Sequence, residues 1–197
     1  MSDTLEQAEN KTIDSDLAAA SHPKFPGWNR YTHVYAILDA AQNEEIYKTL
    51  MGCTEEFTCL FNGKIPIVLA RAAPYLIKLS VNSPLFEKIY QQGFYNNWGI
   101  FFASYDSGKD LKKHFQDLLR VKTEDGRRLY FRYYDPRVLR HYLPTCTPSE
   151  LRTVFGGASK FWVSGEEKDT IIEYGKDNER FYVTTFDLKS DSTSSNE

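Results

Sequence analysis

YTHVYAILDA, residues 31–40, decides the fold. β-branched, aromatic and aliphatic side chains occupy both alternating sets of positions, so neither face of this extended segment suits water. It is expected to be an interior strand, covered on both sides. Residues 98–104, WGIFFAS, read the same way, and 57–61 and 75–79 are shorter strand candidates. Residues 64–73 between those two carry no clear pattern.

Helices alternate with these strands, each with a chemical start and stop. Asn43 is an N-cap type, followed by Glu44 and Glu45 in the positive first turn, Ile46, Tyr47, Leu50 and Met51 at core spacing, and a stop at Gly52. Ser83 and Pro84 open a second helix that runs to Gly93. Ser107 with Asp110 resembles a capping box for a third, with Leu111, Phe115, Leu118 and Leu119 on one face and His114 at its border. Residues 121–123 and 127–133 flank Asp125 and Gly126, a hairpin signal. Asp135 and Pro136 cap a fourth helix, its Val138, Leu139, Tyr142 and Leu143 inward and its Arg137, Arg140 and His141 outside. Thr147 with Glu150 opens a fifth, ended by Gly156, and 180–186 alternates as a last strand. The expected class is α/β (mixed α+β), a single domain over 30–187 with a central mixed sheet flanked by short amphipathic helices. Residues 1–29 read as a flexible arm and 188–197 as a disordered tail.

Composition narrows the function. A formal charge of −3 provides no global basic field, so nucleic acid is not an expected partner. The longest apolar run, 98–103, is far short of the roughly 20 residues a bilayer demands, so membrane insertion is not expected. Cys53, Cys59 and Cys146 are too few and too irregular for a disulfide scaffold and suit a reducing cytoplasm. His22 and His141 lie at no zinc spacing with them, so no metal or other cofactor is expected. Gly156 and Gly157 follow a helix, whereas a phosphate loop precedes one.

The densest chemistry lies where the hairpin enters the fourth helix. Strand alternation places Leu129, Phe131 and Tyr133 on a core face and Arg128, Tyr130, Arg132 and Tyr134 on an exposed one. Capping accounts for Asp135 and Pro136 alone. Arginine and tyrosine together are the composition of protein-binding hot spots, which makes Arg128, Tyr130, Arg132, Tyr134, Asp135 and Arg137 the candidate partner site. For catalysis, Asp39 and Asp135 at two strand ends could converge as paired carboxylates, with His114 as a base, although a histidine placed as His33 or His114 is more often a satisfied core residue than a catalytic one.

The order of segments resembles the type VI secretion effector chaperones or adaptors. The matching stretches are YAILDAA (35–41), APYLIKL (73–79), NWGIFFAS (97–104), HFQDLLRV (114–121), DGRRLYFRYYDPRVLRHYLP (125–144) and VFGGASKFW (154–162). YFRYYDPRVL after DGR is the specific part. The resemblance implies a non-enzymatic cytoplasmic protein that binds the N-terminal region of a cognate toxic effector and loads it onto the VgrG spike. An immunity protein for a secreted toxin and a small α/β hydrolytic enzyme are the alternatives. Residues 1–29 and those after Trp162 fall outside the match.

Overall fold

The computed structural model describes residues 6–7, 25, 33–80, 83–122, 125–177 and 180–188. The described strands are β1 (Glu6–Gln7), β2 (His33–Asp39), β3 (Phe57–Cys59), β4 (Pro74–Leu79), β5 (Gly99–Ser104), β6 (Arg120–Lys122), β7 (Arg128–Tyr130), β8 (Ala158–Ser164), β9 (Thr170–Asp177) and β10 (Arg180–Asp187). Eight of them form one sheet in the order β1-β10-β9-β8-β5-β2-β4-β3, and β6 pairs with β7 alone. Only β1 runs parallel to its neighbour; the other sheet pairings are antiparallel. The fold is therefore mixed α+β, and strand–helix alternation in the sequence did not mean parallel crossovers.

β2 is central, as its two apolar faces require. Val34, Ala36 and Leu38 pack into one apolar layer, while Tyr35 and Ile37 pack into the other. The first layer is closed by α1 (Glu44–Met51) and α3 (Pro84–Ile89), the second by α4 (Gly108–Leu118), α5 (Pro136–Tyr142) and α6 (Pro148–Phe155). A short helix α2 (Ile67–Ala70) lies in the stretch left unassigned by pattern, and none of its residues is buried.

Most of the caps work as the sequence implies. Asn43 Oδ1 accepts from Glu45 N–H at 2.9 Å, Ser83 Oγ from Phe86 N–H at 3.0 Å, and Thr147 and Glu150 complete a reciprocal capping box. Ser107 differs: its hydroxyl donates to the Asp110 carboxylate at 2.7 Å and caps no backbone N–H.

The arm expected over 1–29 lies mostly outside the described residues, but two parts of it are bound. Glu6–Gln7 adds to the β10 edge, and Phe25 is fully buried in the first layer, its ring 5.3 Å from Trp162 and 4.8 Å from Phe101. Within the expected tail, residues 189–197 lie outside the described residues.

Candidate partner interface

The hairpin is a ribbon standing apart from the main sheet. Its register sets Arg120 opposite Tyr130, Val121 opposite Leu129 and Lys122 opposite Arg128. Directly opposed residues share a face. One face therefore carries Arg120, Lys122, Arg128 and Tyr130, the other Val121 and Leu129, and all six are exposed. Leu129, expected in the core, is 47% exposed. Tyr130 leans edge-on to Phe61 with ring centroids 6.0 Å apart, which ties the ribbon to the loop after β3.

Tyr134 does not belong to the exposed face on which alternation places it. The strand ends at Tyr130, and a turn closed by Asp135 N–H to Arg132 O at 3.0 Å redirects the chain. Period-two alternation holds only within a strand, so both Tyr133 and Tyr134 turn inward. The Tyr133 hydroxyl donates to Phe115 O at 2.8 Å, and its ring packs against that of Phe115 at 5.6 Å and of Tyr134 at 5.4 Å. Burial, with the Asp39 carboxylate adding to it and Arg132 offsetting it, pushes the Tyr134 hydroxyl up to about 12. Tyr134→Ala is thus a core truncation rather than an interface probe.

Asp135 is buried as the N-cap of α5, accepting from Arg137 N–H at 3.0 Å. The exposed Arg137 guanidinium folds back on it, Nε donating to Oδ1 at 2.9 Å and Nη2 to Oδ2 at 2.7 Å. Nη2 also donates to Gln42 Oε1 at 3.1 Å, and Gln42 Nε2 donates to Asp39 Oδ2 at 3.1 Å. Asp39 is fully buried and also accepts from Ala41 N–H. Asp39, Gln42, Arg137 and Asp135 so form one polar chain at the C-terminal end of β2. Gln42 was not legible as a member, because only the tertiary fold brings the turn after β2 beside α5.

Burial raises the Asp135 pKa, but the bonds and charge of Arg137, aided by Arg132, outweigh it and hold the carboxyl below its ordinary value. A carboxyl with a depressed folded-state pKa stabilises above its unfolded value and loses that contribution as pH falls through the folded one. Asp135→Ala is expected to cost about 0.5–2 kcal/mol at neutral pH. The difference from the parent protein should shrink as acid is added below about pH 4. Urea denaturation at pH 7 and pH 3 checks this, and an equal difference at both would refute it.

Beside this chain, Phe131, Asp135, Arg137, Val138, His141, Tyr142 and Thr145 line an open groove of about 540 Å³ on the outer side of α5. Val138 and Tyr142, expected inward, are half-buried and form its apolar floor with Phe131, whose ring meets that of Tyr142 at 4.6 Å. Leu139 and Leu143 do face the core. The six candidate residues are therefore distributed: Arg128 and Tyr130 on the ribbon, Arg132 exposed in the link, Asp135 and Arg137 at the groove, and Tyr134 inside. Arg120 and Lys122 join the ribbon through cross-strand register.

The carboxylate pair and His114 do not meet. His114 Nε2 lies 3.2 Å from Val154 O, its ring packed where a Cβ on Gly156 would sit, and Gly156 has a φ of +49° that favours glycine. The adjacent Gly157 O accepts from Ser104 Oγ, and Ser104 pairs with His33. That is the opposite end of β2 from Asp39, about 20 Å along a strand at roughly 3.3 Å per residue. Among the described residues no three His, Cys, Asp or Glu cluster to hold a metal, and no helix is long and apolar enough to cross a membrane.

No curated protein and no solved structure matches the chain. One family model does, described as a domain of unknown function (DUF4123), and it covers residues 34–153, more than half of the sequence. That span runs from the central strand into α6 and includes the ribbon, the polar chain and the groove. The chain belongs to the DUF4123 family.

Proposed function

We propose that this protein is a non-enzymatic cytoplasmic adaptor that binds a type VI secretion effector through the effector's N-terminal region and loads it onto the VgrG spike. The observation that carries the binding reading is the ribbon. An isolated two-stranded hairpin is marginal in water, and this one exposes Val121 and Leu129 on one face and Tyr130 among three cations on the other. A partner that covers it would remove apolar area worth about 25 cal/mol per Å². The type VI assignment rests on the resemblance of 125–144 to effector adaptors, within the stretch that the family model matches. The groove over α5 continues the same surface through Phe131.

Co-expression with a VgrG protein and toxin encoded beside it tests the reading: an adaptor captures both, an immunity protein only the toxin's catalytic end, and a hydrolase neither. Within the captured complex, Tyr130→Ala and Arg128→Glu should each weaken effector binding about tenfold or more while circular dichroism stays native. Undiminished affinity in both variants, measured by calorimetry, would move the interface off the ribbon.

A further inference from the structure

At the other end of the sheet from Asp39, a second groove of about 430 Å³ opens between α4 and the edge strand β3. It is lined by the buried Tyr35 and Leu76 on one face of the sheet and by Phe57 and Thr58 of the edge strand, with Lys78, Lys109, Lys112 and His33 against a single lining acid, Glu56. None of the three lysines is in an ion pair among the described residues. In a chain of net charge −3, three ammonium groups against one lining carboxylate are not a by-product of a basic composition. The groove therefore carries an excess of positive charge.

The shape favours a polymer over a small molecule. Small ligands are normally enclosed over most of their surface. Here Glu56, Lys78, Ser107, Gly108 and Lys109 are all exposed, so the groove is a trough rather than a cavity. Among the described strands β3 is the last of the sheet and pairs only with β4, on the side where the trough is open.

We infer that this trough is a second docking site, which takes an acidic, extended segment of a partner protein, its carboxylates on Lys78, Lys109 and Lys112. It lies beyond the effector site proposed above, and substitutions on the ribbon should leave it unchanged.

A fluorescein-labelled hexapeptide of alternating glutamate and leucine is the probe, titrated against the full chain at low salt and read by anisotropy. Saturable binding is expected, with none for the lysine and leucine counterpart. Lys109→Glu/Lys112→Glu should raise the Kd about tenfold or more. That variant should still fold: Glu at 109 suits the positive first turn of α4, and both positions stay outside the core. Amide shifts at Thr58 and Lys109 on peptide addition locate the contact independently of any variant. Absent binding at millimolar peptide, undiminished binding to the reversed variant, shifts confined to the ribbon, or full displacement by equimolar inorganic phosphate would each overturn the inference, the last by showing a small-anion pocket instead.

Discussion

Replacing Glu173 by alanine is expected to destabilise the protein by about 3–5 kcal/mol. Glu173 is 3% exposed on β9, between β8 and β10, and is held by three donors. Lys160 Nζ and the Tyr182 hydroxyl donate to Oε1, the latter at 3.2 Å, and Trp162 Nε1 donates to Oε2 at 2.8 Å. Lys160 also lies over the Tyr182 ring at 5.7 Å. Truncation takes the carboxylate away from a largely buried ammonium and an indole N–H, and breaking a buried pair on one side costs far more than the pair is worth as a whole. Glu173→Leu combined with Lys160→Met should recover much of the loss, because it removes both charges together. Urea denaturation of the two variants decides it; a single substitution that costs under about 1 kcal/mol would mean that the cluster is solvated in solution.

Phe25→Ala should cost a similar amount, about 3–5 kcal/mol, as expected for emptying a fully buried aromatic site. The ring lies among Phe86, Tyr90, Phe94, Phe101 and Trp162, the nearest centroid at 4.8 Å and the farthest at 6.3 Å. This one contact makes part of the 1–29 stretch a component of the core rather than an appendage. Phe25→Leu, which refills most of the volume, should lose clearly less. Thermal melting measures both, and an unchanged melting temperature for Phe25→Ala would show that the residue leaves its site in solution.

Phe25 and Glu173 are opposite kinds of residue. A phenylalanine in a polar stretch and a glutamate in a strand were the positions where local reading had least to offer. Phe25 is surrounded in sequence by Pro23, Lys24, Pro26 and Gly27, which signal loop, and nothing nearby shows that a pocket of aromatic rings awaits it. Residues 158–177, which become β8 and β9, contain Gly165 and Gly175, charges and short alternations, so their strand character is weak until register pairs Lys160 with Gly175 and Trp162 with Glu173. Tyr134 shows the same limit within the candidate site: alternation extrapolated past Tyr130 places it outside, and one turn hydrogen bond places it inside.

What the sequence by itself determined was whatever depends on neighbours within about four residues. Asn43, Ser83, Asp135 and Thr147 each satisfy backbone N–H groups two or three positions on, so their helices start where those residues stand. The two apolar faces of 33–39 likewise require cover on both sides, whatever provides it. Only the tertiary structure decided the antiparallel order of the sheet, the insertion of Phe25, the Glu173 cluster, and the link from Asp39 through Gln42 and Arg137 to Asp135. Each of these joins residues far apart in the chain. Their free energy appears only once the chain has met the entropy cost of closing the intervening loops, and that selection among alternative pairings is made by the whole core at once rather than by any local pattern.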